Sequence, residues 1–196
     1  ADHASITIYY AKFHEELEKK RVLDSDLRVA RRIQKAMLPT RIPLVPGLDM
    51  AAFSEPAREI GGDYYDFVRI DQDHIGLAIA DVSGKGVSGA ILMSVCRSVF
   101  RAHAEDCLSP ARILKRINEI VAGDIHEDMF ISMLYAILDT RSFEMTLARA
   151  GHPRPLLVSG GGSVTTIDSD GLAIGLVESD LFDLQIRETT VILKPD

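Results

Sequence analysis

At 196 residues, 46% of them hydrophobic, the chain is long enough to bury one sizeable core. Its formal charge of −7 is unevenly spread: residues 1–38 hold eight Lys/Arg against six Asp/Glu, net +2, which leaves −9 for the rest. An acidic body argues against nucleic acid as the main partner, and no run approaches the roughly 18 apolar residues of a membrane span.

The start, Ala1-Asp2-His3-Ala4, has neither a basic n-region nor an apolar h-region, so no signal peptide is read there. The missing initiator Met suggests a piece of a longer protein, and a cytoplasmic location is expected. Cys96 and Cys107 are expected as free thiols in a reducing compartment.

Residues 5–38 read as one long helix without Pro or Gly, ending where Leu38 meets Pro39. Ile6, Tyr10, Phe13 and Leu17 follow a 4-3-4 spacing. After the charged run 18–21, Leu23, Leu27, Ala30, Gln34 and Met37 resume it in a shifted register. Two seams broken by a stutter predict a homodimeric coiled coil, against the alternative of a surface helix packed on its own domain. Pro39, Pro43, Pro46 and Gly47 mark a boundary.

Beyond it, 48–54, 64–70 and 75–82 read as strands, the last apolar on both faces as a central strand would be. Helices are predicted over 87–103 and from Ser109-Pro110, a good N-cap with Pro at the first helical position. Strands follow at 130–138, 143–149, 155–159 and 163–167, the last pair joined by Gly160-Gly161-Gly162, and 181–193 closes the chain as strand. Strands, then paired helices, then antiparallel strands predict an α+β layered fold.

Two segments concentrate the chemistry. In Gly61-Gly62-Asp63-Tyr64-Tyr65-Asp66 the glycines allow a tight turn and leave Asp63 at the mouth of a strand. In Ala80-Asp81-Val82-Ser83-Gly84-Lys85-Gly86 a buried apolar strand ends in a carboxylate and a glycine-rich turn. Carboxylates at such strand ends are costly to desolvate unless a cation or donor meets them, and two on adjacent strands can clamp hard cations through oxygen. Taken singly, Gly-Gly-Asp reads equally as an ordinary turn and Asp81 as a helix cap. The 83–86 run lacks the Ser/Thr and second Gly of a P-loop. Tyr64-Tyr65 departs from the diguanylate cyclase signature, and the scattered His do not make a zinc site.

In order, the runs 56–66, 80–86, 130–135, 150–155 and 171–176 resemble the SpoIIE-type branch of the PPM (type 2C) metal-dependent serine/threonine protein phosphatases. The run 31–39 resembles the helix that leads into that domain. The resemblance implies a layered α/β/β/α sandwich of two antiparallel sheets flanked by helices, behind a long N-terminal linker helix. It divides the chain into a linker at 1–38 and a phosphatase domain at 39–196 that is incomplete at its C-terminus. It implies two Mn²⁺ or Mg²⁺ ions held by Asp63, Asp81 and the backbone carbonyl of Val82, lowering the pKa of a shared water for in-line attack on phosphorus. Arg58 is expected to bind the substrate phosphate through its planar fork, although an exposed loop charge would look the same in sequence. His152 reads as a hydrogen-bonded turn residue rather than a ligand. The family's third metal-binding Asp, in a Thr-Asp-Gly segment, and an Asp-Asp pair are expected beyond Lys194-Pro195-Asp196, so the chain as written holds half a metal site.

The resemblance implies a phosphoserine/phosphothreonine phosphatase acting on a partner protein, an anti-anti-sigma factor, under the control of an upstream sensory or receiver domain. The alternative is a catalytically inactive phosphatase-like adaptor. Asp63 and Asp81 favour the enzyme, because an adaptor has no physical need for two carboxylates at strand ends.

Overall fold

The computed structural model describes residues 2–55, 60–84, 86–125 and 128–194. Helix α1 (Asp2–Met37) stops one residue short of Leu38, because the residue before Pro39 is pushed out of the helical region. Its 36 residues span about 54 Å. The last turns meet the body, where the Arg97 side chain donates to the Met37 carbonyl at 2.8 Å. Further back, Tyr9, Tyr10, Phe13, Val22 and Leu23 stay exposed. Among the described residues no helix is long and apolar enough to cross a membrane.

Strands β1 (Tyr64–Arg69), β2 (His74–Val82), β3 (Ile131–Asp139), β4 (Glu144–Ala150) and β7 (Glu188–Ile192) form one antiparallel sheet in the order β1-β2-β3-β4-β7. As expected of a central strand, β2 is laddered on both edges. One face carries α2 (Val87–Ala104) and α3 (Pro110–Val121) over a core that includes Tyr64, Met93, Phe100, Leu114, Ile117 and Tyr135. The Ser109 hydroxyl caps α3 by accepting from the Arg112 backbone N–H, and Pro110 opens its first turn. Cys96 and Cys107 are free and buried on this side, and burial pushes the Cys96 thiol up to about 12.

The other face carries a hairpin of β5 (Leu156–Val158) and β6 (Val164–Thr166), turned at the Gly-rich run with Gly162 at φ 78°. Leu157 and Ile167 pack there on Leu134, Ala136 and Leu147. Among the described residues the second layer is thus this two-stranded hairpin, where a full second sheet is expected.

Two expectations fail locally. The 48–54 stretch is no strand, because it forms no ladder with any described residue; it runs as a loop with Phe53 83% exposed. The 181–193 stretch divides into α4 (Ser179–Gln185) and β7. Phe182, Leu184 and Ile186 alternate like a strand, but the buried pair is Phe182 and Ile186, four apart on one helical stripe, with Leu184 facing solvent.

Candidate functional site: two facing carboxylates at the β1–β2 end

The β1–β2 ladder sets Tyr64 opposite Ala80, and the Val82 backbone N–H donates to the Gly62 carbonyl at 3.3 Å. The same register therefore faces Asp63 with Asp81 at the end of the ladder. Like charges set directly opposite on neighbouring strands repel. Burial, and then the Asp63 charge beside it, push the Asp81 carboxyl above its ordinary value, with His152 pulling the other way. Two oxygen-bearing groups short of countercharge are what a hard divalent cation accepts.

Glycines shape the surroundings. A Cβ on Gly62 would lie 2.5 Å from the Val82 carbonyl oxygen, so only glycine lets that carbonyl sit against the turn leading to Asp63. A Cβ placed on Gly89 of α2 would stand 3.0 Å from the Gly84 carbonyl, which fixes how closely α2 approaches Gly84. Ser83 is pinned to β3 by its N–H to the Phe130 carbonyl at 2.8 Å and by its hydroxyl, which accepts from the Phe130 N–H at 2.6 Å.

His152 follows the β4 end at Gly151, which has φ 67°. Its Nδ1 lies 3.0 Å from the Ser132 hydroxyl, which donates to the Asp81 carbonyl at 3.3 Å. Burial lowers the His152 pKa, while Asp81 partly offsets it. Phe53, Asp63, Tyr65, Ile79, Asp81 and His152 line a cleft of about 220 Å³.

The second aspartate of the motif has another task. Asp66 stands three residues beyond Asp63, so strand alternation turns it to the opposite face. There, fully buried, it takes two bonds from Arg101 of α2, both 2.6 Å, and one from the Tyr64 hydroxyl at 2.6 Å. Sequence reading also missed Gln34. It lies in the predicted apolar stripe and is buried, but its amide donates to the Gly61 carbonyl at 2.6 Å and accepts from the Gly61 N–H at 3.1 Å. Its only sequence signal is an amide in an otherwise apolar row. Arg58 lies outside the described residues.

A cation at this site would find the right donor type: two carboxylates and the Val82 carbonyl beside Gly62. Mg²⁺ and similar ions use one or two protein carboxylates and complete their shell with water and substrate phosphate. Among the described residues no group of three or more His, Cys, Asp or Glu gathers as a metal cluster.

Residues 71–196 match the family model described as Stage II sporulation protein E (SpoIIE). The phosphoserine phosphatase RsbU of Bacillus subtilis is 34% identical over 155 residues, covering 79% of this chain and 46% of RsbU. The phosphoserine phosphatase RsbP of the same organism is 25% identical over 171 residues, covering 85% of this chain and 41% of RsbP. The chain thus spans less than half the length of these curated relatives. Among solved structures, the SiaA-PP2C domain of Pseudomonas aeruginosa matches with a TM-score of 0.70 at 25% identity, over 91% of this chain and 70% of that one. The chain belongs to the SpoIIE family and is a PP2C-type phosphatase domain.

Proposed function

We propose that the full-length protein carrying this domain hydrolyses phosphoserine or phosphothreonine on a partner protein, an anti-anti-sigma factor, with Asp63 and Asp81 as metal-holding catalytic carboxylates. The observation that carries the reading is the ladder register facing those two carboxylates, with Asp81 held above its ordinary pKa. Kinship with the phosphoserine phosphatases RsbU and RsbP supports the substrate class. Mn²⁺ or Mg²⁺, when bound, supplies a water of lowered pKa for in-line attack on phosphorus. The chain's own part is to hold Asp63 and Asp81 against each other's repulsion, to keep the Val82 carbonyl beside Gly62, and to fix both on one rigid ladder. Arg58, three residues before Gly61, takes the substrate phosphate.

The linker reading fits an upstream sensory or receiver domain acting through α1. Phe13 and Leu23, one in each predicted seam, are exposed on a helix of 36 residues, which supports pairing with a second copy. Gln34 then ties that helix to the turn before Asp63, giving a route from linker to site.

The test is a Mn²⁺ titration by calorimetry together with turnover of a phosphoserine peptide. Asp63→Asn and Asp81→Asn each abolish Mn²⁺ binding, and Asp81→Asn lowers turnover by orders of magnitude. Equal turnover in excess EDTA would sink the metal-dependent chemistry, and Mn²⁺ binding unchanged in both variants would sink Asp63 and Asp81 as its ligands. No turnover by the full-length protein with Mn²⁺ would leave the adaptor.

A further inference from the structure

The cleft over Asp63 and Asp81 does not end at the metal-holding carboxylates. Phe53, Ser54, Asp63 and Tyr65 also line a second, larger hollow of about 530 Å³, whose far wall is the end of α1. That wall presents Arg31 and Lys35, four residues apart and so on one helical face. Both are exposed, and among the described residues neither side chain joins an ion pair or hydrogen bond. Two like charges at that spacing weaken a helix slightly, a cost that internal contacts do not repay.

We propose that this hollow docks the substrate protein: an acidic segment flanking the phosphoserine lies across Phe53 and Tyr65 and is held by Arg31 and Lys35. The proposal rests on the phosphatase reading above and adds a specificity wall to it. Size argues for a peptide rather than a bare phosphate, since 530 Å³ far exceeds one phosphoryl group and the hollow leads away from Asp81. Phe53, 83% exposed on its loop, offers an apolar shelf between the two ends. Charge selects an acidic segment. Residues 39–196 carry −9 and repel it over most of the surface, whereas the cationic end of α1 attracts it. Glu55 and Asp63 also line the hollow, so the acidic residues must lie on the α1 side while the phosphate points to the carboxylates and their cations.

The experiment compares wild type with Arg31→Glu/Lys35→Glu and with the charge-keeping Arg31→Lys/Lys35→Arg. Affinity for a fluorescein-labelled acidic phosphoserine peptide is read by anisotropy over a range of salt. Turnover of the same peptide and of p-nitrophenyl phosphate is read with Mn²⁺, and thermal melting controls for folding. Charge reversal should weaken peptide binding by about tenfold or more and flatten its salt dependence, while the charge-keeping variant binds as wild type. The ratio of kcat/KM for peptide to that for p-nitrophenyl phosphate should fall by a similar factor. Unchanged affinity and salt dependence would overturn the docking wall, as would an equal loss on both substrates, which would mean that α1 only supports the site. If neither substrate turns over in the full-length wild-type protein, the phosphatase reading fails, and the anisotropy arm still decides whether this hollow binds the peptide.

Discussion

Arg101→Leu should cost the domain about 2–3 kcal/mol. Asp66 is fully buried at the side chain, and Arg101 gives it two short parallel bonds from a guanidinium that is 42% exposed. Removing one member of a buried pair costs about 3–5 kcal/mol, because a charge is left without its partner. Two features lower the figure here. The guanidinium keeps part of its hydration, and Asp66 retains the Tyr64 hydroxyl and the Phe67 N–H, at 2.6 and 2.9 Å. Urea unfolding at pH 7, with a slope of about 2 kcal/mol per molar, should show the midpoint falling by about 1–1.5 M at unchanged slope.

Adding Asp66→Asn should recover most of that loss. The amide carries no charge, its oxygen accepts from the Phe67 N–H and its nitrogen donates to the Tyr64 hydroxyl oxygen, so no charge is left buried and the remaining cost is the Tyr64 hydroxyl proton that loses its acceptor. Asp66→Asn should also leave Mn²⁺ affinity near wild type, since Asp66 faces α2 rather than the cleft. An Arg101→Leu cost below about 1 kcal/mol, or no recovery in the double variant, would refute the assignment of Asp66 as the anchor of α2 on β1.

Gln34→Leu keeps the apolar stripe but strips Gly61 of both bonds, and it should cost about 1–3 kcal/mol in urea unfolding and weaken Mn²⁺ binding; unchanged metal affinity would show that the clamp does not reach Asp63. In metal-free protein the raised Asp81 pKa opposes folding wherever that carboxyl is ionised. Asp81→Asn should therefore raise the melting temperature in EDTA at pH 7, and the gain should vanish as pH falls through the raised value towards the ordinary 3.8. A lower melting temperature for Asp81→Asn at pH 7 would reverse that sign. Phe13→Asp with Leu23→Asp tests the pairing of α1, one residue in each seam and both exposed. Light scattering should give a wild-type dimer and a monomeric variant with unchanged melting of the body, and a wild-type monomer at high concentration would end the pairing idea.

What could be read in the sequence and what could not separates along one physical line. Asp63 and Asp81 stood out as candidates because one follows the Gly61-Gly62 turn at the mouth of a strand and the other closes the apolar run 75–80, where a carboxylate has no local reason to be; the ladder register then faces them. The Ser109-Pro110 start of α3 and the glycine hairpin between β5 and β6 were legible for the same reason, since capping and turn chemistry act within four residues. Gln34 and Asp66 were not legible, because their partners lie 27 and 35 residues away. Periodicity assigned Gln34 to a buried row correctly but could not say that the row closes on a backbone turn instead of a second helix. The 48–54 stretch failed likewise: apolar content gave it a strand's composition, but a strand exists only where another edge accepts its hydrogen bonds. In the 181–193 stretch both periods were present, and burial chose Phe182 and Ile186 only because their helix folds back onto the core. The two buried polar residues that local patterns misjudge are those that join elements, Gln34 tying α1 to the turn before Asp63 and Asp66 tying β1 to α2. A substitution at Gln34 should therefore be felt at the site through the turn it holds, whereas one at Asp66, like truncation of Leu114 or Ile117, should lower stability and leave metal affinity per folded molecule unchanged.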